Sequence, residues 1–265
     1  MADHKTEFGM PANKRVLALM PHPDDCEILC AGTLIRLREI GFEIHVATMT
    51  AGDKGSATLS RTEIADVRRN EARLGAEKIG ASSYSCLDFQ DLEIVFDNPS
   101  RKHVSGMLRQ IDPGIVFTTP PVDYMADHEI TSQLVRDACF NAAAANYETD
   151  GDRGPTSGVP WLYYTDCIGG HDLFGRPARL SCMVDISAHI EAKSEALACH
   201  ASQREWLRTQ HGMDDYLKTM RDWSASRGKE IGVEYAEGFC QHVGHPFPHE
   251  DLLANLLGAT RLRGE

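Results

Sequence analysis

Basic excess, membrane-length apolar runs and paired cysteines are all missing from this sequence. Lys and Arg number 27 against 39 Asp and Glu, a net charge of −12, and the pI is near 5.4. Nucleic acid and anionic membrane surfaces are polyanions and are therefore not expected as partners. No apolar run approaches the roughly eighteen residues of a membrane span, and mean hydropathy is −0.33. The opening MADHKTEFGM lacks the basic-then-apolar pattern of a secretory leader, so a cytoplasmic location is expected. None of the eight cysteines (Cys26, Cys30, Cys86, Cys139, Cys167, Cys182, Cys199, Cys240) forms a CxxC pair. A chain of 265 residues can bury a core without staples, so these read as reduced, packed thiols. Internal repeats and low-complexity segments are absent too. With 42% hydrophobic and 25% charged residues the composition is globular, which excludes disorder and fibrous architecture.

What is present is an alternation of strand and helix signals. RVLALM (15–20) is a short apolar strand stopped by Pro21, and 26–40 carries apolar residues at helical spacing up to Gly41. EIHVATMT (43–50) reads as a strand, TAGDKGS (50–56) as a loop, and 61–79 as a long helix closed by Gly80. SYSCLDF is a strand, 99–111 a helix, GIVFTT (114–119) a strand and Asp127 to Tyr147 a helix. A Gly-, Pro- and Asp-rich loop spans 148–160. WLYYTDCI and LSCMVDIS are later strands, 188–222 is helical in two pieces, and the tail from 240 begins irregularly and ends in one helix. Strands separated by helix-length segments imply an α/β fold: a Rossmann-like, doubly wound, mostly parallel sheet with helices on both faces. One domain over 1–265 is expected.

Chemistry concentrates where strands end. Pro21-His22-Pro23-Asp24-Asp25-Cys26-Glu27 follows the first strand and opens the first helix. In a doubly wound sheet that is the ligand-binding edge. His22 and Asp25 offer one nitrogen and one oxygen ligand across a sharp turn that two prolines stiffen. An Asp at this point can also cap the helix, but capping leaves His22 and the second Asp unused. Asp123-Tyr124-Met125-Ala126-Asp127-His128-Glu129 follows another strand in the same way. His128 read alone is an ordinary histidine at a helix start. If the two strands are neighbours, His22, Asp25 and His128 supply three ligands and leave a position for water, the pattern of a catalytic zinc. No GxGxxG follows the first strand, so dinucleotide binding is not expected.

HPDDCE, the AGT at 31–33 and DYMADH together resemble the LmbE/PIG-L family of zinc-dependent N-acetylsugar deacetylases. TAGDKGS (50–56), Arg68 and Glu71 in VRRNEARLGAEKIGA, KSEALACHASQ (193–203) and YAEGF (235–239) extend the resemblance over roughly 15–240, leaving 240–265 as a C-terminal tail. The resemblance implies that His22, Asp25 and His128 bind one Zn2+ per chain, another divalent metal being an alternative. It further implies that Asp24 is the general base, that Asp127 orients a histidine, and that Arg68 contacts substrate. The implied activity is metal-dependent removal of an acetyl group from the amide nitrogen of a small N-acetylated amino sugar or sugar conjugate. Relatives often form trimers or hexamers, so a homo-oligomer is also implied.

One position departs from the family pattern. Where the family reads H-x-D-H, this chain has Met125, and a thioether can neither donate a proton nor carry charge. His171, His242, His245 and His249 could fill the role, and His245 is the expected substitute. A metal-dependent hydratase or lyase, or a non-catalytic metal-holding module, are the alternatives. Tyr124, Trp161, Tyr163 and Tyr164 are expected in the core, with a stack on a sugar face as the other reading.

Overall fold

The computed structural model describes residues 10–11, 13–204 and 216–262. Its chain runs β1 (Arg15–Met20), α1 (Asp25–Leu29), α2 (Ala31–Glu39), β2 (Glu43–Thr50), α3 (Arg61–Ile79), β3 (Ser83–Phe89), α4 (Asn98–Ile111), β4 (Ile115–Thr118) and α5 (Ala126–Asn141). It continues through β5 (Trp161–Thr165), β6 (Cys182–Asp185), α6 (Ile190–Leu197), α7 (Tyr216–Ile231), β7 (Ala236–Gln241), α8 (Leu252–Leu257) and β8 (Thr260–Arg261). The eight strands form one sheet in the order β3-β2-β1-β4-β5-β7-β6-β8. The first five in that order pair in parallel, and the last three pair antiparallel. β1 therefore lies between β2 and β4, where the strand order reverses, and its carboxyl end is a topological switch point.

Strand alternation explains why both faces are covered. In RVLALM, Val16, Ala18 and Met20 join one apolar cluster with α1, α2, α6 and α8. Leu17 and Leu19 join the opposite cluster with Val104, Leu108, Leu134 and Val135 of α4 and α5. A strand buried on both faces reads as a continuous apolar run rather than an alternating one. Among the described residues no helix is long and apolar enough to cross a membrane.

Several elements depart from expectation, each for a local reason. The helix expected over 26–40 breaks at Cys30, which has φ −147°. The break gives α2 its own N-terminus, whose Gly32 and Thr33 amides donate to the buried Glu237 carboxylate at 2.9 and 2.7 Å. The helix expected to reach Tyr147 stops at Asn141, because Arg109 and Thr156 claim the carbonyls of Ala142 and Ala144 that further turns would use. Part of the expected helical span 188–222 lies outside the described residues. In the expected tail, β7 ends at Gln241 inside the sheet, and β8 is an added edge strand.

Glu237 is also paired with Lys193 at 2.7 Å, with side chains 2% and 1% exposed. This pins α6, β7 and the start of α2 together beneath the switch point. Replacing Lys193 by Met strands the carboxylate, and the expected loss is about 3–5 kcal/mol in urea unfolding. Lys193→Met/Glu237→Gln should recover part of that loss, and an unchanged midpoint in the single variant would show the pair to be idle.

Candidate metal centre

The β1 strand delivers His22 to the carboxyl edge of the sheet, and the turn that follows brings Asp25 back towards it. The His22 amide donates to Asp25 Oδ2 at 2.9 Å, and the Pro21 carbonyl accepts from the Thr50 amide and hydroxyl. Asp24 occupies the left-handed region at φ 96°, a conformation that costs on the order of 1–3 kcal/mol and persists where surroundings impose it. Here the surroundings are Arg68, whose guanidinium donates to the carbonyls of Pro23 (2.8 Å) and Gly52 (3.3 Å), and Tyr216, whose hydroxyl donates to Asp24 Oδ2 at 2.7 Å.

β4 and the first turn of α5 supply the other half. His128 is fully buried and its ring centroid lies 5.3 Å from that of His22. His128 Nδ1 is 2.9 Å from Asp123 Oδ2, so the proton sits on Nδ1 against the carboxylate. That leaves Nε2 with a bare lone pair, 3.6 Å from Asp25 Oδ2, buried and with no hydrogen-bond partner. His22 is arranged likewise: Nε2 faces Asp91 (3.1 Å) and Asp127 (3.4 Å), while Nδ1 lies 3.4 Å from Asp25 Oδ2.

Among the described residues two groups could hold a cation: His22, Asp25 and His128, or His22, Asp91 and Asp127. The first fits better. Asp91 accepts from the Lys54 amide and Asp127 from the Leu92 amide, as Asp25 does from the His22 amide, so the histidines decide between the two groups. The orphaned His128 Nε2 is a buried acceptor that only a cation or a donor would satisfy. Two nitrogens and one carboxylate oxygen are the donor set of a catalytic divalent site, with Asp91 and Asp123 orienting the rings.

The charges follow from this packing. Burial disfavours a cationic His22, but hydrogen bonds to Asp127, Asp25 and Asp91 overcome it and hold its pKa well above 6.5. Burial would push Asp25 up, yet the hydrogen bonds and the charge of His22 help hold it below the ordinary carboxylate value. Asp24 is pushed up by burial, which the neighbouring Arg68 only partly offsets.

Of the expected site residues, His22, Asp24, Asp25, Asp127 and His128 are brought together. Arg68 is 4% exposed and braces the Pro23 and Gly52 carbonyls, so it shapes the loop under Asp24 instead of meeting solvent. His245 is not at the site. β7 runs antiparallel to β5, and the chain leaves it at the amino end of the parallel strands, where Leu162 and Trp161 bond to His242 and Glu250. Trp161, Tyr163 and Tyr164 are in the core, whereas Tyr124 is exposed with its ring edge-on to His128 at 5.1 Å. Asp91, Asp123 and Tyr216 were not expected as site residues. Asp123 sat inside the noted cluster, but Tyr216 is 192 residues from Asp24 and carries no local signal.

Removing the Asp123 carboxylate frees the His128 ring, and Asp123→Ala should weaken divalent-metal binding about 10–100-fold in chelator competition; unchanged affinity would contradict that role. Metal uptake must displace the His22 Nδ1 proton, whose raised pKa keeps it bound above pH 6.5. Affinity should therefore keep climbing above pH 6.5, by up to about tenfold per unit, and level off only beyond the raised pKa. A flat profile from pH 6.5 upwards in calorimetry would contradict this.

Comparison with known proteins finds relatives over most of the chain. Diacetylchitobiose deacetylase of Thermococcus kodakarensis is 29% identical over 243 residues, covering 85% of this chain and 82% of that protein. The 4-oxalmesaconate hydratase of Pseudomonas putida is 23% identical over 239 residues, covering 85% and 88%. The solved structure of N,N'-diacetylchitobiose deacetylase from Pyrococcus horikoshii, in complex with its inhibitor MPG, matches with a TM-score of 0.76 at 27% identity, over 91% of this chain and 89% of that one. Both clusters that build the centre lie within residues 17–139, which match the family described as PIG-L: GlcNAc-PI de-N-acetylase. That match spans somewhat under half of the chain.

Proposed function

We propose that this protein is a zinc-dependent N-deacetylase that hydrolyses the acetamide of a small N-acetylated amino sugar or sugar conjugate. The observation that carries the reading is the bare, buried Nε2 of His128 facing Asp25, whose chain neighbour Asp24 is held by Tyr216. The deacetylase relatives named above support it. A divalent ion held by His22, Asp25 and His128 would supply Lewis acidity and lower the pKa of bound water from about 15.7 to roughly 7.

The remaining work falls to this chain's own groups. Asp24 accepts the proton of the attacking water and returns it to the departing amine nitrogen, serving as base and then acid. Its proximity to Asp25 and its burial favour taking up that proton. Arg68 and Tyr216 hold it in its left-handed turn, so it meets the water in one orientation. The oxygen that gains charge needs a donor, worth roughly 3–4 kcal/mol elsewhere. Met125 cannot supply one and His245 is at the far end of the sheet; the hydroxyl of Tyr124, on the wall beside His128, takes that role.

Asp24→Asn should retain the metal and lose at least about two orders of magnitude in turnover, scored as acetate and free amine from N-acetylglucosaminides. Full activity in that variant would remove Asp24 as the base. Hydration of an unsaturated acid, with no acetate released from any acetamide, would favour the chemistry of the hydratase relative.

A further inference from the structure

We infer that the centre selects N-acetylated sugars whose remaining part is uncharged and apolar, and discriminates against acidic conjugates. The inference rests on the deacetylase reading and names the substrate class within it.

Charge is the first argument. Asp24, Asp25, Asp91, Asp123 and Asp127 surround the two histidines, and all but Asp24 are at least nine-tenths buried in residue terms. Against these five acids stand the Arg68 guanidinium and the two charges of a divalent ion, so the loaded centre stays negative. Three of the loops at this edge add more of the same sign. Residues 51–60, 90–97 and 119–125 contain Asp53, Asp91, Glu93, Asp97 and Asp123 but one cation, Lys54. Lys54 is committed to Glu93 and the Asp91 carbonyl, and Arg61, at the start of α3, to Asp53. Arg68 is buried, donates to the Pro23 and Gly52 carbonyls and lies 3.7 Å from Asp24 Oδ1, so its charge faces an acid of the site. A carboxylate or phosphate on the substrate would meet like charge at short range with no free cation from these loops to receive it.

The rim is the second argument. Three side chains adjoining the site carboxylates present apolar surface to solvent, the aliphatic Leu92 at 59% exposure and Val122 at 42%, and the ring of Tyr124 at 61%. Leu92 follows Asp91, and its amide bonds to Asp127 at 2.7 Å. Val122 precedes Asp123, the partner of His128, and Tyr124 follows it. Leu92 also holds φ 62°, a region leucine rarely occupies. An apolar fringe around a polar centre is the mark of a ligand site. A sugar's acetamide would reach the histidines while an aryl, alkyl or flat pyranose face on its other side covers this fringe.

Three glycosides of N-acetylglucosamine test this on the intact, metal-loaded enzyme: 4-methylphenyl, methyl and 4-carboxyphenyl. The expected order of kcat/KM is 4-methylphenyl, then methyl, then 4-carboxyphenyl, with at least tenfold between the two aryl glycosides at low salt. Leu92→Lys should narrow that tenfold gap at least threefold, by slowing the first aryl glycoside and speeding the acidic one. Equal or faster hydrolysis of the 4-carboxyphenyl glycoside would overturn the inference while leaving the deacetylase reading intact. No acetate from any of the three would overturn that reading and this inference with it.

Discussion

An imidazole nitrogen buried without a partner is the constraint around which this molecule is organised. His128 gives its one proton to Asp123, so its other nitrogen can only accept, and nothing in the described residues donates to it. A buried acceptor left in that state costs on the order of 1–3 kcal/mol. Asp25, 3.6 Å away, is itself an acceptor and cannot relieve it. The arrangement becomes favourable when a cation sits between the two, and His22 turns its Nδ1 to the same point. Stability is given up locally for a site that fills.

The rest of the fold serves that point. Two strands end side by side because β1 pairs with both β2 and β4. The turn after β1 is forced into a left-handed conformation at Asp24 and held there by Arg68 from α3 and Tyr216 from α7. Beneath it, Gly75 leaves room for Glu27, since a Cβ would stand 2.3 Å from Glu27 Oε1. The Lys193–Glu237 pair joins the two C-terminal segments to the start of α2. These buried polar contacts cost more to assemble than apolar packing would. Their position under the histidines indicates that they set where the first turn lies.

Much of this was legible in the residues. The strand ends, the alternation of strand and helix, and the His22, Asp25 and His128 constellation follow from periodicity and from polar clusters placed just after apolar runs. What was not legible depends on pairing across the sheet. YAEGFCQ carries no sign of which strand it pairs with, and its antiparallel placement beside β5 carries His245 away from the site. The break at Cys30 answers to Glu237, 205 residues distant from Gly32. Arg68 is expected as a substrate contact from the resemblance, yet its guanidinium donates to two backbone carbonyls. Asp91 has no motif, only a place at the end of β3 facing His22. Periodicity reports which face a residue occupies, whereas partners at long range are decided by topology.

The most direct measurement is metal stoichiometry by equilibrium dialysis of the metal-stripped chain against a divalent ion, for the native sequence and for His128→Ala, with circular dichroism to confirm that both are folded. One tightly held ion per native chain, and binding to the folded variant at least a hundredfold weaker, is the expected result. Equal binding by the two proteins would mean that residues 22, 25 and 128 do not form a metal centre, and the hydrolytic reading would fall with them.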